Sequence, residues 1–255
     1  MMRLLLCVMA ALVESRHREM KEEFALVMLP APAQAIELSS AEGFEILKRS
    51  LSRSYRQVSI HLTTQDTESL CAIASAVAVL NAMSVDMISQ TPVDPIYEPY
   101  PYWTQSVLAG DECLVEVHDP AHGSTRTQLV DMLSQCLPIH VQNIGAPDDL
   151  NTLRSLLIDA LADNNADSHV LVNFERTDLV DEVGGGHFSP IVAYDAEEDL
   201  VLMLDVARYK YPPLWFKLED LWASTRRFDP DSNESRGFIF MSPRPMFAAN
   251  SSENK

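Results

Sequence analysis

The stretch "GGGHFSPIVAYDAEEDLVLMLDVARYKYPP" (184–213) contains two apolar runs on either side of the charged segment "DAEED". Short runs rich in β-branched and aromatic residues around a polar turn are typical of a β-hairpin. The loop is expected to have four or five residues about Ala196–Glu198. In such a hairpin, two residues lie opposite each other when their numbers sum to about 392 to 394. His187 is then expected opposite Asp205 or within one step of it. A carboxylate in that position can orient an imidazole ring.

The hairpin is one part of a predicted sheet in the second half of the chain. Similar short runs are "HVLVNFE" (169–175), "FSPIVAYD" (188–195), "LVLMLDV" (200–206) and "RGFIFMS" (236–242). Apolar spacings of three and four predict helices over 125–136 and 146–164, and serines before an acidic turn predict another within "SSAEGFEILKRSL" (39–51). Helices first and an antiparallel sheet second indicate an α+β fold.

Two segments between these elements have weaker patterns. "RQVSIHLTTQ" (56–65) is predicted as a short strand. The stretch 84–127 is expected to be irregular up to the predicted helix, because "TPVDPIYEPYPYW" (91–103) has too many prolines for a helix or a central strand. A loop region of this length is typically functional or covers part of the core.

Composition restricts the class of protein. With 255 residues and 47% hydrophobic residues, one substantial domain is expected. The net charge of −18 argues against nucleic acid as a partner, since phosphate binding needs clustered Lys and Arg. The four cysteines (Cys7, Cys71, Cys113, Cys136) have neither zinc-site nor disulfide-framework spacing. Free thiols in a reducing, cytoplasmic compartment are therefore expected.

The termini are predicted to lie outside the main domain. Residues 1–35 form an N-terminal extension that contains an apolar run from Leu4 to Val13, too short to span a bilayer. A frayed helix is the favoured interpretation of this run, and a weak signal peptide, which would imply a secretory or periplasmic location, is the alternative. No stable membrane association is expected. The main domain is assigned to residues 36–243, and 244–255 form a disordered tail.

Cys71 lies within "TQDTESLCAIASAVAVLNAM" (64–83), just ahead of an almost uncharged run. A helix that begins near Ser69 places Cys71 in its first turn, where free backbone N–H groups and the macrodipole favour a thiolate. Gln65 precedes that turn, and its amide can donate to an oxyanion. Considered alone, Cys71 is equally a small buried apolar residue and Gln65 a turn residue. Together with His187 and Asp205 they favour cysteine-based catalysis.

Several of these segments together resemble phytochelatin synthases, the glutathione γ-glutamylcysteinyltransferases. The resemblance covers about residues 36–243 and is most specific in "DVARYKYPPLW" (205–215); it also includes "VLNAM" (79–83), "GGHFSPIVAYD" (185–195), "LEDLW" (218–222) and "SRGFIFMS" (235–242). It implies a papain-like fold and a catalytic triad of Cys71, His187 and Asp205, with Gln65 in the oxyanion hole. The implied reaction forms a γ-glutamylcysteinyl thioester on Cys71.

The resemblance also implies substrate-binding residues and partners. Arg208 would hold substrate carboxylates, and Asp229 would serve the second acylation step, although an ordinary turn before "PDSNES" (230–235) explains Asp229 equally well. Gly186, within a run of three glycines, leaves room for a ligand or another backbone. The implied substrates are glutathione and its cadmium or zinc thiolates, so that no tightly bound cofactor and no protein metal site are expected. A homodimer is an option.

Two other functions remain open at this point. A noncatalytic protein of the same fold would buffer thiols and metals, although buffering by clustered thiols is not indicated by four dispersed cysteines. A general papain-like peptidase would use the same three residues. The pair His118 and His122 in "HDPAH" has the spacing of helical metal ligands, but the intervening proline disfavours a helix there.

Overall fold

The computed structural model describes Leu29 and residues 31–83, 94–110, 123–162 and 167–243. Contacts divide the chain between Pro30 and Ala31, and all the elements below belong to the unit that begins at Ala31. Most of the predicted N-terminal extension, the predicted tail 244–255 and the histidine pair at 118 and 122 lie outside the described residues. The predicted domain limits at residues 36 and 243 therefore stay predictions.

The described ranges contain helices mainly before residue 162 and strands mainly after residue 167. The helices are α1 (Ala41–Arg49), α2 (Arg53–His61), α3 (Cys71–Ala82), α4 (Gln105–Gly110), α5 (Arg126–Cys136), α6 (Leu150–Leu161), α7 (Arg176–Leu179) and α8 (Leu218–Thr225). The strands are β1 (Ile36–Glu37), β2 (Ile139–Gly145), β3 (His169–Glu175), β4 (Gly186–Asp195), β5 (Leu200–Met203), β6 (Leu214–Lys217), β7 (Phe228–Asp229), β8 (Glu234–Ser235) and β9 (Gly237–Pro243). None of these helices is both long and apolar enough to cross a bilayer.

Seven of the strands form one antiparallel sheet in the order β1-β6-β5-β4-β3-β9-β2. Strands β7 and β8 pair separately as a short ribbon. Strand β2 reaches the sheet from the helical half and pairs with β9 over its full length. The predicted α+β class, with helices first and an antiparallel sheet second, is confirmed.

Both faces of the sheet are buried, and for this reason its strands consist of continuous apolar runs. In β3, Leu171 belongs to the core cluster that includes α3, whereas Val170 and Val172 belong to the cluster that includes α6 and α8. Residues of β9 alternate in the same way, since successive side chains of a strand point to opposite faces. The sheet is thus packed between α3 on one face and α6 and α8 on the other.

Helix α3 is the central helix of the first core cluster. Eleven of its 12 residues are buried, and many of them are alanine or valine. Small side chains allow the helix to approach the sheet closely, and the Ser75 hydroxyl donates to the Phe188 carbonyl of β4 at 3.1 Å. Asn81, the remaining residue, binds the backbone of Trp103 through both ends of its amide. Cys71, the first residue of this helix, is therefore held in place by the packing of the whole helix.

The helices predicted within 39–51 and over 125–136 and 146–164 are confirmed, and the last of them is shorter at both ends. Thr125 caps α5 through a reciprocal capping box with Gln128. Ser40 caps α1 by accepting from the Gly43 amide. The helix predicted over 146–164 is shorter and begins at Leu150, because Asp149 accepts from the amides of Asn151 and Thr152 and so starts it four residues later. Within the stretch expected to be irregular, α4 adds a short helix.

The predicted strand over 56–65 is wrong, since its first six residues belong to helix α2. Ser54 and Val58, four residues apart, are fully buried and place one face of α2 against α3 and β4. Arg53, on the same helix, donates to the carbonyl oxygens of Ala160 and Ser168. These tertiary contacts outweigh the β propensity of the local sequence, which is a weak preference.

The hairpin of 184–213 is confirmed, but its register differs from the expected one. Tyr194 pairs with Val201 and Asp195 with Leu200, a sum of 395, and a bulge near Val192 shifts the pairing of Ile191 with Met203 to 394. Strand β5 ends at Met203, so Asp205 lies beyond the paired strand. His187 is thus two residues from the position opposite Asp205, which leaves the two as diagonal neighbours that their side chains bridge.

Gly43 provides a test of the packing between α1 and β1. A Cβ atom added at Gly43 would lie 2.1 Å from the Glu37 carbonyl oxygen, which is backbone and cannot move freely. We expect Gly43→Ala to lower the free energy of unfolding by about 2 kcal/mol, although alanine ordinarily favours a helix. The matched control is Gly110→Ala in α4, where an added Cβ would have nothing within 4 Å. Urea denaturation measures both, and equal effects would contradict the prediction.

Candidate active site

Cys71 is the first residue of α3 and is 8% exposed. The preceding residue, Leu70, provides no side-chain cap, so the first backbone N–H groups of the helix are available near the Cys71 sulfur. These N–H groups and the positive end of the helix dipole favour a negative charge at this point. The predicted placement of Cys71 in the first helical turn is confirmed.

His187 and Asp205 form a hydrogen-bonded pair next to Cys71. The distance between His187 Nε2 and Asp205 Oδ1 is 2.7 Å, and both side chains are almost fully buried. Asp205 Oδ1 also accepts from the Ala207 amide at 2.7 Å, which fixes the carboxylate. Because Nε2 is engaged with Asp205, Nδ1 is the ring nitrogen that remains to interact with the Cys71 thiol, whose pKa His187 affects. The Phe174 ring packs edge-on against the imidazole at 5.6 Å and limits its rotation.

The charges of these residues stabilise one another. Burial alone would raise the pKa of Cys71, but the hydrogen bond and charge of His187, the Phe188 backbone and the charge of Arg176 bring it below its ordinary value. Burial alone would lower the pKa of His187, but Asp205 and Cys71 raise it to about 10. A thiolate and an imidazolium are therefore favoured together over the intervening pH range. This is the form in which a cysteine is nucleophilic.

Gln65 lies in the loop between α2 and α3, and its backbone is tied to the segment that carries Asp205. The Gln65 backbone N–H donates to the Val206 carbonyl at 3.0 Å. The side chain is 4% exposed, and its Nε2 donates to the Tyr209 hydroxyl at 2.9 Å. Gln105 holds the adjoining backbone by donating to the Thr64 carbonyl and accepting from the Asp66 amide. The structure thus fixes Gln65 beside the segment that follows Asp205.

A cleft of about 580 Å³ opens over Cys71. It is lined by the residues that precede α3, by the ends of β3 and β9, by the glycines before His187 and by the turn after β7; among them are Ser69, Cys71, Asn173, Arg176, Gly185, Asp231 and Arg236. The polar and charged character of this lining suits a small charged ligand better than an apolar one.

Two buried arginines in the cleft are not indicated by the sequence reasoning. Arg236 donates to Glu175 through Nε and Nη2, at 3.1 and 2.9 Å, and to Asn173. Arg176 donates to the Gly184 carbonyl at 2.9 Å, and its buried Nε has no hydrogen-bond partner. Each lies at the end of a buried strand, immediately after β3 or before β9. A charged residue that adjoins an apolar run is a signal that would have indicated both.

Two of the three glycines before His187, Gly184 and Gly186, adjoin the side chains of these arginines. A Cβ at Gly186 would lie 1.8 Å from Arg236 Nη1, and one at Gly184 would lie 2.8 Å from Arg176 Nη2. Gly184 and Gly185 also have positive φ angles, which other residues rarely adopt. Gly186 lines the cleft, but the space beside it is taken by a guanidinium group.

The two remaining predicted substrate-binding residues differ in their positions. Asp229 lines the cleft and is 5% exposed; its Oδ1 accepts from the Asp231 amide at 3.2 Å, and its Oδ2 lies 3.8 Å from Arg236 Nη1. Arg208 is exposed, donates to the Leu62 carbonyl at 3.4 Å and is not among the residues that line the cleft. The structure brings together Cys71, His187, Asp205 and Asp229 but does not bring Arg208 to them.

Comparison with known proteins gives the family. The family model described as phytochelatin synthase matches residues 26–238, which is most of the chain. The chain belongs to the phytochelatin synthase family. The fold is accordingly the papain-like one of this family's catalytic domain, with the cysteine at the start of the central helix and the histidine on the sheet.

Individual relatives carry a consistent name. The chain is 32% identical to glutathione gamma-glutamylcysteinyltransferase 1 of Triticum aestivum, over 85% of this chain and 42% of that protein. It is 32% identical to the Arabidopsis thaliana protein of the same name, over 84% of this chain and 43% of that protein. The Schizosaccharomyces pombe glutathione gamma-glutamylcysteinyltransferase is 22% identical, over 83% of this chain and 50% of that protein. The chain thus spans half or less of the length of these relatives.

The cysteine and histidine charges generate a prediction about alkylation. Because the pKa of Cys71 is lowered, its thiolate persists below the ordinary titration range of cysteine, and iodoacetamide should modify it there. We expect His187→Ala to move the midpoint of the rate against pH upward by at least about one unit, since it removes the main stabilising charge. The rate is followed by mass spectrometry of the peptide that contains Cys71, which separates it from the other cysteines. An unchanged midpoint in His187→Ala would contradict the assigned pair.

Proposed function

We propose that the chain is a cysteine acyltransferase that takes the γ-glutamylcysteinyl group of glutathione onto Cys71. The observation that carries the proposal is the buried, hydrogen-bonded pair of Asp205 and His187 beside Cys71, which lines a charged cleft. The names of the relatives support the choice of glutathione as the donor. The nucleophile, the substrate and the products are parts of this proposal.

In the first half of the reaction, the Cys71 thiolate attacks the carbonyl carbon of the Cys–Gly peptide bond. The electron pair of the C=O bond moves to oxygen, and the Gln65 amide stabilises the oxyanion that results. When the tetrahedral intermediate collapses, the C–N bond breaks and His187 gives its proton to the departing glycine amine. The acyl group is then a thioester on Cys71, and His187 is neutral.

In the second half, an acceptor attacks the thioester. Neutral His187 removes a proton from water or from the amine of a second glutathione, and the Cys71–acyl bond breaks to restore the thiolate. Water releases γ-glutamylcysteine, whereas glutathione yields a phytochelatin one unit longer. Cadmium or zinc enters with the acceptor as a metal thiolate, as substrate, and no tightly bound cofactor is required by these steps.

The charges in the cleft suit glutathione. At neutral pH this tripeptide carries two carboxylates and one ammonium group. Arg176 and Arg236 provide two cations, and Asp229 and Asp231 provide carboxylates in the same cleft. A guanidinium group binds a carboxylate in a bidentate geometry. We assign Arg176 as the better candidate for a substrate carboxylate, because Arg236 binds Glu175 through two hydrogen bonds, whereas Arg176 Nη1 lies 3.6 Å from Glu182 Oε1 and its Nε has no hydrogen-bond partner.

The setting that fits this chemistry is the cytoplasm, where thiols stay reduced and glutathione is abundant. The alternatives are a noncatalytic thiol and metal buffer and a general peptidase. Within the residues that the structure describes, no group of three or more His, Cys, Asp or Glu is arranged to hold a metal ion. A peptidase would cleave ordinary peptides, whereas the proposed enzyme needs the γ-glutamyl group, so substrate choice separates the two.

The triad is tested by product analysis with glutathione, in the presence and absence of cadmium. We expect glycine release by the wild type, and no detectable release by Cys71→Ala or His187→Ala although both stay folded. Asp205→Asn should lose about 10³-fold or more in kcat, because the imidazole is then no longer oriented and charged as required. Mass spectrometry identifies phytochelatins or γ-glutamylcysteine as the product, and circular dichroism checks the fold.

Each outcome of this experiment has a distinct meaning. Phytochelatins formed with cadmium establish the transferase, and γ-glutamylcysteine with glycine alone indicates a hydrolase on the same triad. Turnover retained by Cys71→Ala would contradict the thioester. Cleavage of unrelated peptides at a comparable kcat/KM would favour the peptidase, and no turnover by the wild type would favour the noncatalytic protein.

The role of Arg176 is tested by its effect on KM. We expect Arg176→Gln to raise the KM for glutathione by about tenfold, because a charged hydrogen bond to a carboxylate is lost. The matched control is Arg227→Gln, which removes an exposed arginine that is paired with Asp178 outside the cleft. Steady-state kinetics at constant ionic strength measures both. Equal KM values for Arg176→Gln and the wild type would contradict the assignment.

A further inference from the structure

The Gln65 side chain has one partnered end and one unpartnered end. Its Nε2 donates to the Tyr209 hydroxyl at 2.9 Å, whereas its buried Oε1 has no hydrogen-bond partner. The residue is 4% exposed, so water does not compensate freely for the missing bond. A buried acceptor without a partner costs about 1–3 kcal/mol. The Gln65 amide is therefore only half satisfied in this orientation.

A half-turn of the amide exchanges the positions of Oε1 and Nε2. A tyrosine hydroxyl is both a donor and an acceptor, so Tyr209 can donate to Oε1 as well as accept from Nε2. In the exchanged orientation both atoms of the hydrogen bond to Tyr209 are satisfied, and Nε2 takes the unpartnered position. An N–H group in that position needs an acceptor, and in the proposed acylation step the oxyanion would be that acceptor.

We propose that Tyr209 is a positioning residue for the oxyanion hole: its hydroxyl donates to Gln65 Oε1 and thereby directs Nε2 toward the oxyanion. This inference rests on the proposed function, because it assigns a second residue to the acylation step of Cys71. It adds to that function a reason why the donor end of the Gln65 amide, rather than its acceptor end, would be left for the oxyanion. Tyr209 does not touch the substrate in this account and acts only through Gln65.

The surroundings hold both residues in place. The Gln65 backbone is fixed by Val206 and by the Gln105 contacts to its neighbours. Tyr209 follows Asp205 by four residues, and the Lys210 ammonium lies 5.8 Å from the centre of its ring. The short segment 205–209 thus orients the histidine through its first residue and the glutamine through its last. A change in this segment would affect the base and the oxyanion donor together.

The test is a double-mutant cycle of Tyr209→Phe and Gln65→Ala, which is measured by two assays. The first assay is glycine release from glutathione, and the second is the burst of p-nitrophenolate when p-nitrophenyl acetate acylates Cys71. Loss of the oxyanion donor in Gln65→Ala should lower the acylation rate by about 10²-fold to 10³-fold. Tyr209→Phe should lower it by about tenfold with little change in KM, since the hydroxyl acts only in the transition state.

The decisive result is the absence of additivity. In the Gln65→Ala background, Tyr209→Phe should have no further effect, because the amide that the hydroxyl directs is gone. A general loss of packing would instead lower the rate equally in both backgrounds. The matched control is Tyr194→Phe, which removes a hydroxyl that donates to Asp199 at 2.7 Å in the hairpin turn. It should lower the melting temperature and leave the acylation rate unchanged.

The outcomes separate this inference from the proposed function. A Tyr209→Phe rate equal to the wild-type rate, or an additive cycle, would overturn the role of Tyr209 while the thioester stands. A Cys71-dependent ester burst without glycine release would refute glutathione as the donor, and the ester cycle would still decide the role of Tyr209. No burst in the wild type, or an equal burst in Cys71→Ala, would overturn both.

Discussion

A buried pair of opposite charges is the constraint on which the rest of this structure depends. Cys71 and His187 are 8% and 1% exposed, and burial by itself would favour the neutral form of each. The dipole of α3, the carboxylate of Asp205 and the guanidinium of Arg176 compensate for the loss of water around them. Helix α3 and the sheet, which is buried on both faces, together hold these few polar groups at fixed distances.

The segment after β5 has a role that its lack of regular structure does not suggest. Strand β5 ends at Met203, and the Asp205 carboxylate then binds His187. The next residue, Val206, accepts from the Gln65 backbone amide, and the Ala207 amide donates to the Asp205 carboxylate. In a strand that continued, the Val206 carbonyl and the Ala207 amide would be used for pairing with neighbouring strands and could not bind Gln65 and the Asp205 carboxylate. The end of the strand is thus a requirement of the site.

Much of the fold was predictable because its signals are local. The turn "DAEED" and the apolar runs around it indicate the hairpin, and the capping residues Thr125 and Ser40 mark helix starts. The strand predicted over 56–65 failed because the helix there depends on contacts of Arg53 with carbonyl groups more than 100 residues away in sequence. No local pattern contains that information.

The site was predictable to a similar extent and for the same reason. Cys71, His187 and Asp205 follow from a helix start and a hairpin, both of which are short-range features. Arg176 and Arg236 come together only through the order of β3, β4 and β9 in the sheet, which the sequence does not specify. The register near the turn lies one residue beyond the expected range, since Asp195 pairs with Leu200, and the bulge near Val192 brings the pairing of Ile191 with Met203 back to its upper limit.

The proposed reaction requires His187 to act first as an acid and then as a base, and the geometry explains how one residue does both. Its raised pKa has two charged sources, Asp205 and Cys71. While Cys71 is a thiolate, both operate and the imidazole keeps its proton until the glycine amine departs. Formation of the thioester removes the negative charge of Cys71, so that the pKa of His187 falls and the neutral ring can accept a proton from the acceptor. Return of the thiolate restores the first state. The covalent state of Cys71 therefore determines the pKa of His187.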